Sequence, residues 1–157
     1  MRLTLISVGR IAESFIEEAC NYYGDKIARF ATLRQVVVPE ERVKAAGREA
    51  YILRQESARL RGKVPSGSFR IVLDEKGRLL SSRSFASSFE KWGQTGLKEM
   101  TFIVGGPYGL NEEIKAEADF RLSLSPLTLT HAMARMVLLE QIYRAFTILR
   151  GEPYHKE

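Results

Sequence analysis

The chain has 157 residues, with 24 lysines and arginines against 19 aspartates and glutamates, one cysteine (Cys20) and two histidines (His131 and His155). That length fits one domain, residues 1–157, with a core of its own. A lone cysteine excludes an intrachain disulfide, and with two histidines it cannot furnish a dedicated zinc site, so no metal is expected.

The N-terminal Leu3–Val8 is a short apolar run that reads as a first strand. It is too short for a signal peptide, and charge returns at Arg10. Ile11, Phe15, Ala19, Tyr22, Tyr23, Ile27 and Phe30 then recur at helical spacing, with Glu13, Glu17, Asn21 and Gly24 opposite, the mark of an amphipathic helix. Leu33–Val38 is a β-branched second strand stopped by Pro39.

Ala46, Ala50, Leu53, Ser57 and Leu60 follow as one small-to-apolar helical stripe. Around it the charge is concentrated. Residues 42–63 hold seven basic and two acidic side chains, a net +5 that equals the excess of the whole chain. Lys44, Arg48 and Arg59 fall opposite the stripe, so this face is either ordinary solvated surface or a candidate phosphate-contacting face.

KVPSGS punctuates the chain before a third strand, Phe69–Leu73, which the pattern ends in a turn at DEKG. Ser81–Trp92 reads as a helix closed by Gly93 and Gly96, and Met100–Val104 as a fourth strand running into GGPYG. Asn111 is a good N-cap for a short helix with Glu112 and Glu113 in its first turn. Phe120–Ser123 is a short fifth strand, and a final helix spans about Thr130–Leu149. Alternating strands and helices predict an α/β fold with a largely parallel sheet flanked by helices. Leu122–Ala134, the longest stretch without Asp, Glu, Lys or Arg, is 13 residues and contains Pro126. A membrane span needs ~20 apolar residues, so a cytoplasmic, non-membrane protein is expected.

There is no Walker A sequence, no GxGxxG after the first strand and no GxSxG. P-loop nucleotidases, ordinary dinucleotide enzymes and α/β-hydrolases are therefore disfavoured. In parallel sheets ligands sit beyond the carboxyl ends of strands, which directs attention to the loops after Leu73, Val104 and Ser123. Gly105–Gly109 suits either a tight turn or close backbone approach to a ligand. LSLSPLTL (Leu122–Leu129) suits either a buried strand and loop or an apolar slot for a flat heterocycle. The last helix is apolar around most of its circumference, with only Glu140 and Arg144 charged in its middle. Such a helix must be covered on several sides, which predicts a homodimer, with burial inside its own chain as the alternative. Glu140 and Arg144 have the favourable order for a helical ion pair. In the tail GEPYHKE, Tyr154 and His155 offer stacking, hydrogen bonding and proton transfer, although termini are ordinarily disordered. His131 taken alone reads as a cap or packed residue.

FIVGGPYGL together with LSLSPLTLTHAMARMVLLEQIYRAFTILRGEPYHKE resembles the RlmH family, SPOUT-class methyltransferases of bacterial large-subunit rRNA. LDEKGRLLSSRSFA (Leu73–Ala86) is also similar to that family, and residues 1–65 are the least specific part. The resemblance implies an α/β fold whose C-terminal segment threads a loop as a trefoil knot, a feature that connection rules make unusual. It implies a homodimer that binds S-adenosylmethionine at the knot and methylates N3 of a pseudouridine in the helix 69 loop of 23S rRNA, on assembled ribosomes. Carried over, the cofactor contacts are Leu73, Gly105, Leu124, Ser125, Pro126, Leu127, Thr128 and Leu129. His131, Glu140, Arg144, Tyr154 and His155 become the active-site set. In that set His155 is base or substrate anchor, Tyr154 stacks on or hydrogen-bonds the flipped base, and Arg144, held by Glu140, orients the ring or a phosphate. Lys44, Arg48 and Arg59 become the RNA-contacting face. The competing reading is a non-catalytic rRNA-binding ribosome-assembly factor that uses the same basic helix.

Overall fold

The computed structural model describes residues 1–43 and 46–156. Five strands, β1 (Arg2–Val8), β2 (Thr32–Val38), β3 (Phe69–Leu79), β4 (Glu99–Val104) and β5 (Phe120–Ser123), form one sheet. Its order is β2-β1-β4-β3-β5, and every pairing is parallel. The helices are α1 (Ser14–Ala28), α2 (Glu49–Arg61), α3 (Ser82–Gly93), α4 (Glu112–Ala116) and α5 (His131–Leu149).

A parallel sheet must be covered on both faces, and the strands show how. Leu3 and Leu5 of β1, with Met100, Phe102 and Val104 of β4, meet residues of α1, α3 and α5 in the larger core. The alternate positions, Ile6, Val8 and Ile103, meet Leu60 of α2 and Ile114 of α4 on the other face. This is the period-two alternation of a strand, apolar on both sides.

Helix ends follow their capping residues. Ser81 Oγ accepts from Ser84 N at 3.1 Å, Asn111 Oδ1 from Ile114 N at 3.1 Å, and Thr130 Oγ1 from Met133 N at 3.2 Å. These contacts satisfy amides that a helix start leaves unpaired.

Two sequence expectations are corrected. DEKG is not a turn that ends β3. The strand continues to Leu79 through a register shift, in which Leu73 and then Arg78 pair with the same Leu122. Asp74 causes it: its buried carboxylate accepts from Arg121 Nε at 3.0 Å and from Lys76 N at 3.1 Å. Those contacts gather residues 74–77 into a bulge over the neighbouring strand. Gly77 belongs there because a Cβ would stand 2.7 Å from the Arg121 carbonyl oxygen.

The inward stripe of α2 is also displaced. Ala46 and Ala50 are exposed, and the buried residues are Ile52, Glu56, Ser57 and Leu60. Polar contacts set that rotation. Glu56 Oε2 accepts from Glu41 N at 3.0 Å, and Ser57 Oγ accepts from Asn111 N at 3.0 Å.

Candidate active site: a strand-end cleft and a separate tail cluster

The carboxyl ends of the strands frame a cleft of about 740 Å³. Its wall is built from the three loops singled out in the sequence. Leu73 comes from β3, Gly105 and Gly106 from beyond β4, and Leu124, Ser125, Leu127, Thr128 and Leu129 from beyond β5. Pro126 is not part of the wall. His131, the first residue of α5, is.

Local chemistry shapes each wall. GGPYG forms the tight turn. Gly109 N donates to Gly106 O at 2.9 Å, closing a tight turn, and Gly109 has φ +80°, a conformation natural to glycine. A Cβ on Gly105 would strike the Gly109 carbonyl. In the loop after β5, Leu127 N donates to Ser125 Oγ at 2.9 Å and Ser123 Oγ to Ser125 O at 3.2 Å. Among the described residues, 124–129 make no main-chain to main-chain hydrogen bond. Apart from Leu127 N and Ser125 O, which side chains engage, the backbone groups of this loop are available to a ligand.

The electrostatics lean negative. Glu13 and Glu75 line the cleft against Arg10, and Glu40, also in the wall, is paired with Arg42 at 2.9 Å. Asp74 also lines it but is matched by Arg121 and by Lys115 Nζ at 3.5 Å. Burial and the nearby Arg135 hold the His131 imidazole below its ordinary pKa, favouring the neutral ring. Arg135 is itself buried, with Nη2 donating to Val8 O and, at 2.5 Å, to Gly9 O. It ties the carboxyl end of β1 to α5. The sequence reading missed Arg135, and a charged residue inside an apolar helical run was the signal available.

Glu140, Arg144, Tyr154 and His155 lie elsewhere, and none lines the cleft. Arg144 follows His131 by 13 positions on one helix, about 20 Å along its axis at 1.5 Å per residue. The four form their own cluster. Arg144 Nε donates to Glu140 Oε1 at 3.0 Å, in the helical pairing order expected. The Tyr154 hydroxyl donates to the same oxygen at 3.0 Å, and Arg144 Nη1 lies 3.2 Å from His155 Nδ1. The Arg144 guanidinium also sits 4.6 Å from the Tyr154 ring centroid. Burial, then hydrogen bonds with Tyr23 and Glu140, raise the Tyr154 pKa and keep the phenol protonated.

The tail reaches this cluster because α5 ends in a Schellman turn. Gly151 has φ +67°, Gly151 N donates to Ile148 O at 3.1 Å, and Glu152 N to Thr147 O at 2.9 Å. The chain reverses there and lays Tyr154 against Tyr143, with ring centroids 4.7 Å apart.

On the basic segment, Arg48 is exposed at the start of α2. Arg59 is engaged by Glu41 and by the Pro39 carbonyl at 3.1 Å. Lys44 lies outside the described residues. Among the described residues no group of three or more His, Cys, Asp and Glu could hold a metal ion, and no helix is long and apolar enough to cross a membrane.

Comparison with known proteins gives the family. The chain is 45% identical over 155 residues to Ribosomal RNA large subunit methyltransferase H of Syntrophotalea carbinolica, covering 99% of each chain. It is 39% identical to the protein of that name from Leuconostoc citreum, covering 99% of this chain and 100% of the relative. Its fold is similar to that of a probable methylase family protein from Haemophilus influenzae Rd KW20 (TM-score 0.54, 18% identity, 99% of this chain and 70% of that one). A family model described as "Predicted SPOUT methyltransferase" matches residues 1–155. A match that takes in every strand, the cleft and the folded-back tail leaves one assignment: the chain belongs to the SPOUT methyltransferase family.

Proposed function

We propose that the protein is an S-adenosylmethionine-dependent methyltransferase of large-subunit rRNA. Its target is N3 of a pseudouridine in the helix 69 loop of 23S rRNA on assembled ribosomes, in the cytoplasm. The observation that carries the reading is the cleft, where three strand-end loops converge on one cavity with unpaired backbone groups and a surplus of carboxylates. That lining fits a cationic sulfonium carrying a flat adenine. Leu73, Gly105 and the backbone of residues 124–129 would hold the cofactor, as the resemblance implies, with the trefoil knot formed around it by the C-terminal segment.

When bound, S-adenosylmethionine supplies an electrophilic methyl group, and the protein's task is chiefly to position the nucleophile. N3 of pseudouridine bears a proton that passes to solvent, so that the nitrogen lone pair can form the new N–C bond while the donor's sulfur–methyl bond breaks and a neutral thioether leaves. The Arg144 guanidinium, fixed by Glu140, stabilises the deprotonated ring, and the Tyr154 ring packs against the base while its hydroxyl, donating to Glu140, holds that carboxylate in place. His155 anchors the substrate.

The separation of about 20 Å along α5 argues for a homodimer. A tail cluster so far from its own cleft meets a methyl group only when a second copy presents its tail. The half-buried Met133, Met136 and Val137 on α5 supply an apolar face for that contact.

The test is mass spectrometry of 23S rRNA after undermethylated ribosomes are incubated with protein and labelled cofactor. A labelled methyl on the helix 69 pseudouridine is expected. Ribosome binding by folded protein with no donor binding and no transfer would instead identify an assembly factor.

A further inference from the structure

The charge of the molecule is not distributed as its sequence suggests. In the basic segment around α2, Arg42 pairs with Glu40 at 2.9 Å, Arg59 with Glu41, and Arg61 with Glu113 at 2.5 Å and with Glu117. Much of that segment's excess is therefore neutralised within the chain. Arg48, Arg54 and Lys63 enter no ion pair among the described residues, and a second such set stands at the last turn of α1 and the C-terminus of α5, beside the tail cluster. Lys26, Arg29 and Arg150 enter no ion pair among the described residues, and both arginines are exposed.

Aromatic rings hold these cations in place. The Arg150 guanidinium lies 4.7 Å from the Phe30 ring centroid and that of Arg29 lies 5.7 Å from it. Lys26 Nζ lies 5.2 Å from the Tyr22 centroid. Phe30 is itself stacked on Phe146 at 5.1 Å. A guanidinium resting on a ring is pre-ordered, loses little side-chain entropy on binding, and keeps its N–H edge for a phosphate.

The patch is continuous with the tail cluster. Phe30 lies 6.1 Å from Tyr143, and Tyr143 lies 4.7 Å from Tyr154. We propose that Lys26, Arg29 and Arg150, set on Tyr22 and Phe30, form a docking surface for the RNA that flanks the target nucleotide. The arginines take its phosphates, and the exposed Tyr22 offers a stacking face for an unpaired base. Un-neutralised cations interleaved with aromatic rings suit single-stranded or loop RNA. The inference rests on the reading that the tail cluster handles the flipped base, because only then does RNA entering that cluster cross this patch.

The test compares Arg29→Glu/Arg150→Glu and Arg29→Gln/Arg150→Gln double variants with wild type for binding to undermethylated ribosomes across a salt series. Donor affinity and oligomeric state are measured in parallel. Two lost phosphate contacts flatten the slope of log affinity against log salt by about 1.4–1.8, from ~0.7–0.9 per phosphate. We expect that flattening in both variants, with ribosome affinity down at least about tenfold in the charge reversal and donor affinity and oligomeric state unchanged. Unchanged affinity and slope overturn the proposal. So does a loss accompanied by a change of oligomeric state, which would make the patch a contact between copies, or by lost donor affinity. Wild-type methyl transfer to the same ribosomes tests the underlying reading separately, since its failure leaves the binding comparison intact.

Discussion

The Arg144 guanidinium donates to Nδ1 of His155 at 3.2 Å, and because arginine has no acceptor, that ring nitrogen is unprotonated. In the neutral ring the proton then sits on Nε2, which can only donate. We therefore propose that His155 serves as the substrate anchor rather than as the general base. His155→Gln, which retains an acceptor and a donor, should keep most of the activity and an unchanged pH–rate profile. His155→Ala should lose about tenfold or more in kcat/KM. A glutamine variant as impaired as alanine, with its acid limb gone, would restore the base assignment.

Gly105→Ala places a methyl group against the Gly109 carbonyl, so the turn must move. Overpacking of this kind costs about 1–3 kcal/mol. Calorimetric titration should show at least about tenfold weaker donor binding, since the displaced turn is a wall of the cleft. Donor affinity equal to wild type would remove this loop from the binding site.

If the tail acts on the cleft of a second copy, a Gly105→Ala chain and an Arg144→Ala chain are each impaired alone when donor is held below the weakened affinity of the former. Refolded together, they should regain activity through the heterodimer, where an intact cleft faces an intact tail. A mixture no more active than its components would place both parts in one chain.

His131 carries a signed pH dependence. Its folded pKa lies below the ordinary value of 6.5 because of burial and Arg135, so the unfolded chain binds more protons in the interval between the two values. Its stabilising contribution is complete above pH 6.5 and falls as the solution is acidified through that interval. Urea denaturation across this range should show a decline in wild type that His131→Gln lacks.

Asp74 tests the bulge in β3. Burial pushes its carboxyl up, but hydrogen bonds from Arg121 and Lys76 N and the charge of Lys115 outweigh it and hold the pKa below 3.8. The stability it confers is present above that value and is lost as pH falls further. Asp74→Ala removes the buried carboxylate and its hydrogen bonds while leaving Arg121 exposed to solvent, and about 2 kcal/mol should be lost in denaturant titration. The neighbouring Leu73 and Glu75 shift with the bulge, so donor affinity should weaken as well.

Much of this was legible from residue pattern. Period-two and helical repeats locate all ten elements, and capping residues such as Asn111 and Thr130 mark helix starts, because these signals are local. Leu73, Gly105 and Leu124 could be placed near one another by the rule that parallel strands gather their loops at one edge. What failed was long-range and polar. The Asp74–Arg121 contact spans 47 positions and turns an apparent strand end into a bulge. Glu56 faces inward because the Glu41 amide waits there, a partner that no hydrophobic repeat can announce. The distance between His131 and Tyr154 was hidden for the opposite reason: both belong to one motif in sequence, and only the length of α5 separates them.

The hydrogen bond from Arg135 to Gly9 spans 126 positions, and it has a kinetic consequence. The carboxyl end of β1 is tied to α5 only once the first strand and the last helix have met, and loop-closure entropy must be met before such a contact forms. Pocket assembly and global folding therefore belong to one cooperative event. A ligand held in that pocket stabilises the whole chain rather than one lobe, so the unfolding midpoint should climb as ligand is added.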